Sequence, residues 1–380
     1  MMSQKSKREL LEVVRPRYLK VNKVEKQKIL DEFTSATGYH RKYAIRVLKN
    51  QVPKHHNRKT TSYKAIYRGE VVQALEQIWE IYGRICSKRL QPYLPEAIKV
   101  LERCQEIELS KDTKDLLLKI SSASIDRCLH PIRIKSPHGL GTTKPGSLLK
   151  KLIAVRTFTE WDEERPGFME IDLVAHCGNT TEGQFLNTLT CTDICTGWID
   201  VTALPRRSQQ AVCDAISLLR QRLPFPLLGI DSDNGSEFIN DLLYPYCLDE
   251  QITFTRSRPY KKNDQAHVEQ KNWSVVRHTV GYDRWETEQE RALLENIYDD
   301  LRLYINFFQP SFKLIAKERI GNQTIKRYDT AKTPYQRVLE RQDISLEVKA
   351  RLMNSYLQLN PAELQRRIDQ KTAKLWKISR

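Results

Sequence analysis

The chain has 380 residues, 40% of them hydrophobic, and a formal net charge of +16 from 63 Lys and Arg against 47 Asp and Glu. Such a length predicts two or three domains with a sizeable core. The absence of a signal segment or an apolar run of membrane length excludes a spanning protein and predicts a soluble, cytoplasmic one. Residues 1–150 carry 31 basic and 15 acidic side chains, which is the whole excess, so a part that holds a polyanion is expected ahead of a neutral part that does chemistry.

In chain order, residues 1–21 are basic and polar and read as an arm that orders on nucleic acid. Ile29, Leu30 and Phe33 mark one helical face, Thr37-Gly38 a turn, and Tyr43, Ala44, Val47 and Leu48 a second face. This pattern suggests a helix-turn-helix within residues 1–60. Its second helix would present Arg41, Lys42 and Arg46 to a major groove; the alternative is a helical hairpin with a solvated basic face. Residues 61–135 read as a further helical domain. Its helical periodicity runs over Tyr67–Ile85, is interrupted at Pro92 and Pro95 and continues over Ala97–Cys104, and a Ser cap in Ser121-Ser122-Ala123-Ser124 starts a fresh helix on which Ser124 and Arg127 would be the reading residues of a second helix-turn-helix. Residues 136–164, with their Pro, Gly, Lys and Arg, form a basic linker and hold the main domain boundary.

Residues 165–310 alternate between short apolar runs and helical periodicity. Strands are expected at Phe168–Val174, Phe185–Asp193, Gly197–Ala203, Leu227–Asp231 and Ile252–Thr255. Helices are expected at Ser208–Leu223, capped by Ser208, at Glu237–Leu248 and at Ala292–Phe307. Residues 311–380 are a basic stretch followed by polar helices. The eight cysteines lie scattered in apolar runs without a Cys-x-x-Cys pair, as buried free thiols would.

Three acids stand out. Asp172 lies in the middle of an apolar strand, where an unpaired charge is costly. Asp233 ends the run Leu228-Gly229-Ile230-Asp231-Ser232 and precedes an Asn-Gly turn. Glu269 sits at the start of a helix in His267-Val268-Glu269-Gln270-Lys271-Asn272. Two acids on strands and one on a helix are the hard oxygen donors that a pair of divalent cations needs. Glu170 and Asp231 each lie two residues before one of these acids on the same strand face, and on pattern alone either could also be a ligand. His176 and His267 are open to both a structural and a proton-transfer reading. Trp273 reads as core packing before base stacking.

Between Asp233 and Glu269 lie 35 residues. The order Asp, Asp, 35 residues, Glu resembles the catalytic core of retroviral-type integrases and insertion-sequence transposases. The words Asp233-Asn234-Gly235-Ser236-Glu237-Phe238 and Arg258-Pro259-Tyr260-Lys261-Lys262-Asn263 resemble it too. The resemblance covers roughly residues 165–310 and implies an α/β, RNase H-like core: a five-stranded mixed sheet with helices on both faces, the first and fourth strands adjacent. It implies Asp172, Asp233 and Glu269 as catalytic, metal-binding triad, Asp231 as a structural neighbour, and two Mg²⁺ ions for which Mn²⁺ substitutes. By the same resemblance the reaction is cleavage at the ends of a mobile element and strand transfer. The partners are double-stranded DNA, both element ends and target, and at least one further copy of the chain on the nucleoid. Lys261, Lys262 and Lys271 would hold phosphates of the scissile strand. No structural zinc is expected, because His40, His55, His56, Cys86 and Cys104 lack the spacing of the zinc module that some integrases carry. Two competing readings are a regulator derived from such an enzyme and a plain nuclease of the same fold.

Overall fold

The computed structural model describes residues 2–49, 66–133, 165–233, 235, 238, 242–256, 268, 271–320 and 323–378. They fall into two compact units, residues 1–66 and 67–380.

The described residues of the first unit form three helices, α1 (Gln4–Lys20), α2 (Lys23–Thr37) and α3 (Arg41–Lys49). The Asn22 side chain caps α2, and Gly38, at φ 68°, ends it in the left-handed conformation that glycine adopts without a steric cost. Residues 1–21 are therefore mostly helix and not an arm: Leu11 and Tyr18 bury with Ile29, Leu30, Phe33, Ala44 and Leu48. The apolar face of α1 outweighs its charge, because burying a side chain of this kind is worth about 1.5–3 kcal/mol. Tyr43, expected inward, is exposed.

In the second unit, α4 (Glu70–Ile81), α5 (Ser87–Arg103), α6 (Lys111–Lys119) and α7 (Ser122–Arg133) precede the sheet. Helix α5 runs unbroken through Pro92 and Pro95, against expectation, because Leu90, Tyr93, Leu94, Ala97, Ile98 and Leu101 all bury along it; tertiary packing overrides the local cost of proline. These helices are also not a separate domain. Their apolar side chains belong to one continuous core with those of the sheet.

The sheet has β1 (Phe168–Ala175), β2 (Asn187–Asp193), β3 (Ile199–Leu204), β4 (Gly229–Ser232) and β5 (Thr253–Arg256) in the order β3-β2-β1-β4-β5. The pairs β1/β2 and β2/β3 are antiparallel, and β1/β4 and β4/β5 parallel, the mixed sheet expected. Every residue of β2, β3 and β4 is buried. Since successive side chains point to opposite faces, both faces are covered. Helix α8 (Gln209–Arg222) carries the Ser208 cap. Helix α9 (Leu243–Asp249) follows β4, and α10 (Glu288–Phe308), opened by a Thr287–Glu290 capping box, packs along β3. Asn306 of α10 accepts from the Ile199 amide and donates to its carbonyl, at 2.8 and 2.7 Å, so the edge strand is closed by a side chain that mimics a strand.

Beyond α10, β6 (Leu314–Ile320) and β7 (Gln323–Tyr328) form an antiparallel ribbon where a plain basic stretch was read. Helices α11 (Pro334–Glu340), α12 (Leu346–Gln358) and α13 (Pro361–Ile378) return to the core. Asp300, fully buried on α10, holds Arg367 and Lys371 of α13 at 2.5 and 2.6 Å. Among the described residues no helix is long and apolar enough to cross a membrane.

Candidate active site

Strand β1 lies centrally, so its carboxyl end meets the ends of β2 and β4. The parallel register pairs Phe168 with Gly229, Met169 with Ile230 and Glu170 with Asp231. Continued by two residues, it brings Asp172 level with Asp233, just past β4, and the period of two keeps all four acids on one face of the sheet. The acids form two layers. Glu170 and Asp231 are 0% exposed, whereas Asp172 and Asp233 at the strand ends are half-buried.

The lower layer is held by hydrogen bonds within the fold. Asp231 Oδ1 accepts from Thr255 Oγ1, on its neighbour β5, at 2.7 Å. Glu170 Oε2 accepts from the Val268 amide at 3.1 Å. Val268 is the residue before Glu269, so the Glu170 carboxylate ties the start of the segment that carries the third acid to the central strand. Sequence reading left Glu170 and Asp231 open as ligands; both lie fully buried beneath Asp172 and Asp233, on the partners just named.

In the upper layer, Asp172 Oδ1 accepts from the Leu173 amide at 2.8 Å and Oδ2 from the Asn272 side-chain amide at 2.5 Å. Asp233 Oδ1 accepts from the Gly235 amide at 2.8 Å. Asn272 opens a π-helical stretch, Asn272–Arg277, a geometry found mostly at functional sites, and it reaches Asp172 from the segment just after Glu269. Sequence reasoning missed Asn272. The signal was its position three residues after the third acid, on an adjoining helical face. Glu269 itself lies outside the described residues, as do Lys261, Lys262, Tyr260 and His267.

The other assigned residues divide. Lys271 is half-buried, not solvated: burial, then the Arg89 and Arg337 guanidiniums, pushes its ammonium down to about 8. Trp273, read as core, is 60% exposed, with its ring 5.9 Å from that of His278. His176 is fully buried with Nε2 2.7 Å from Thr188 Oγ1, which lies 2.6 Å from the Tyr298 hydroxyl. Burial, then Arg277, pushes its imidazole down to about 3, so it is a neutral core group and not a proton carrier. On α3, Lys42 and Arg46 are exposed, but Arg41 is ion-paired to Asp31 of α2 and Arg46 lies over the Tyr43 ring at 5.0 Å. On α7, Ser124 is buried, bonded to Ser121 and to Arg127 at 3.1 and 2.9 Å. It is not placed to read a base; its amide donates to the Ser121 hydroxyl that caps the helix, and only Arg127 of the pair is exposed. The free cysteines are not all buried: Cys86 is exposed.

Carboxylates at the ends of adjacent strands suit a hard divalent cation, and Asp172 and Asp233 are oxygen donors of this kind. Residues 162–262 match the family model described as Integrase core domain. Over 340 residues the chain is 42% identical to the uncharacterized protein y4rM of Sinorhizobium fredii (strain NBRC 101917 / NGR234), covering 88% of this chain and 96% of that protein. Among solved structures it is similar to the catalytic core domain of BIV integrase, at 18% identity over 45% of this chain and 91% of that one, with a TM-score of 0.29. It is also similar to the HTLV-2 integrase catalytic core domain in complex with magnesium, at 15% identity over 38% and 90%, with a TM-score of 0.29.

Proposed function

This chain belongs to the integrase core domain family, and from that premise we propose that it is a transposase that binds the ends of a mobile DNA element and cuts and joins DNA strands there. The observation that supports this reading is the parallel register of β1 on β4, which pairs Glu170 with Asp231 in a buried layer and leaves Asp172 and Asp233 each two residues further on, half-buried. Asp172 and Asp233, with Glu269 from the segment tied down by Glu170, would hold a divalent cation. Bound there, Mg²⁺ or Mn²⁺ makes an attacking water or 3′-hydroxyl a better nucleophile and stabilises the leaving oxyanion.

The chain's own groups do the positioning. Asn272 fixes the rotamer of Asp172 by donating to Oδ2. The Gly235 amide holds Asp233. Lys261 and Lys262 contact the scissile strand's phosphates, and Trp273 offers a stacking face to an unpaired base. Lys42 and Arg46 on the first unit, and Arg127 on α7, contact the element ends. Two ends must be joined, so the working assembly holds at least two copies.

The test is joining of a labelled terminal-repeat oligonucleotide to plasmid in Mg²⁺, with wild type, Asp233→Asn and Glu269→Gln. Joined products from wild type, and DNA binding without products from both variants, are expected. A wild type that binds DNA but neither cuts nor joins in Mg²⁺ or Mn²⁺ overturns the enzyme in favour of a DNA-binding regulator.

A further inference from the structure

Helix α12 (Leu346–Gln358) has one face in the core and another in solvent. The inner face is firmly held. Leu352 and Tyr356 are buried, the Tyr356 ring stacks on those of Tyr335 and Phe308 at 4.7 and 5.6 Å, its hydroxyl donates to Glu96 Oε1 at 2.6 Å, and the Ser345 side chain caps the helix. On the outer face Leu346, Ala350, Met353 and Leu357 are all exposed, the three larger ones by 82%, 49% and 60%. A single apolar side chain at a surface needs no explanation, but four in one row do.

The spacing of the row shows what fits it. Steps of four, three and four residues keep these side chains in one stripe along the helix, the alternating a and d positions through which two helices pair. The stripe also complements itself. In an antiparallel pair about a two-fold axis between Arg351 and Leu352, Leu346 meets Leu357 of the second copy and Ala350 meets its Met353, so a small side chain faces the long one. Glu347, beside the stripe, then comes next to Asn354 of the second copy and not next to another acid. A parallel pair sets Ala350 against Ala350 and Met353 against Met353, which leaves a gap in one layer and crowds the next. Duplex DNA does not fit, because the stripe offers no cation to a phosphate.

We propose that the Leu346/Ala350/Met353/Leu357 stripe is an interface with a second copy of this chain, formed by two α12 helices packed antiparallel. Its size sets its strength. The 13 residues of the helix, at about 1.5 Å each, span about 20 Å, and with a helix about 10 Å across the stripe has a footprint of roughly 200 Å² per copy. A stable dimer buries about 800 Å² per partner, so this contact dissociates on dilution and is weaker than micromolar. The stripe stands on the helix alone; on the transposase reading it is one of the contacts between the copies that hold two element ends.

The test is sedimentation equilibrium of the full chain without DNA, over a concentration series reaching roughly hundreds of micromolar, comparing wild type with Leu346→Glu, with Leu357→Lys and with both together. An acid near the start of a helix and a base near its end suit the helix dipole, and both positions are exposed, so each variant is expected to melt where wild type does. Wild-type mass should rise from the 44.5 kDa of one chain toward twice that value. Each single variant sets a charge against a leucine and should weaken the association about tenfold or more. The double variant sets opposite charges against each other at both ends of the pair and should recover most of it. Unchanged mass curves in the single variants overturn the stripe as an interface between copies. A double variant no better than the single ones overturns the antiparallel pairing. A wild type that stays at the mass of one chain throughout overturns the proposal in favour of a different protein on the stripe. None of these outcomes bears on DNA joining, which is read separately.

Discussion

Replacing Glu170 by alanine removes the oxygen that accepts from the Val268 amide at 3.1 Å. Hydrogen bonds to charged groups contribute about 1.5–3 kcal/mol, and about 1.4 kcal/mol is a factor of ten. Loss of the anchor on the segment carrying Glu269 should therefore weaken the metal site by roughly tenfold to a hundredfold, the range seen when groups that orient metal ligands are removed. The assay is strand joining against Mg²⁺ concentration, run well below the melting temperature of each protein. Glu170→Ala is expected to shift the half-saturating Mg²⁺ concentration upward, with partial recovery of the rate at high Mg²⁺. Glu170→Gln keeps an acceptor oxygen and should restore most of the affinity. Because Glu170 is fully buried, its removal also costs stability; a purely structural role would lower the melting temperature without moving the Mg²⁺ dependence. An unchanged Mg²⁺ midpoint in a folded Glu170→Ala protein refutes the reasoning.

Two further outcomes follow from the core. The folded chain keeps His176 neutral down to about pH 3, while the unfolded chain takes up a proton near 6.5. Stability contributed by this residue is therefore full above pH 6.5 and falls as pH drops from 6.5 toward 3, by up to about 1.4 kcal/mol per unit. Urea midpoints of wild type and His176→Gln should diverge in slope across pH 6.5 to 4.5, and parallel curves would count against the buried neutral imidazole. At Gly229 an added Cβ would stand 2.5 Å from the Phe168 ring, its ladder partner. Gly229→Ala should thus cost about 1–3 kcal/mol as overpacking, read as a lower denaturant midpoint at constant m; an unmoved midpoint would show that the ring has room to turn.

The sheet was legible because its strands are buried on both faces and so appear as apolar runs between turn residues, and because Ser208 announces the helix after β3; the Thr287–Glu290 capping box, which starts α10 four residues before the expected Ala292, was not read. The ribbon was not: its described residues Ile315, Glu318, Ile325, Lys326, Arg327 and Tyr328 are exposed and need no apolar alternation, so the stretch read only as basic. Helix α1 was hidden by its charge, although Leu11 and Tyr18 already fell one heptad apart. At the site, the spacing of acids drew attention to Asp172 and Asp233, but not to the division of labour beneath them. Glu170 and Asp172 look alike along the chain; the depth of one and the half-exposure of the other come from pairing with β4, which no local pattern encodes. Ser124 failed as a reading residue for a related reason: its hydroxyl is buried, accepting from Ser121 and Arg127, which no local pattern shows.

The continuous core of α4–α7 and the sheet sets the limits of what can be cut from this chain. The Tyr304 hydroxyl donates to the Ile81 carbonyl and the Gln309 side chain to that of Tyr82, at 2.6 and 3.0 Å. Arg103 donates to the Tyr356 and Leu359 carbonyls, both at 3.1 Å. An excised segment confined to residues 162–262 would keep all five strands yet lose α10, whose Asn306 closes the sheet edge, and would leave the apolar wall built by Leu75, Ile78, Leu94 and Ile98 without its other half. The minimal expression fragment for crystallisation or binding work is therefore residues 67–380: the chemistry is borne by a few strand ends, but the scaffold that keeps them in register is drawn from more than 300 residues of chain.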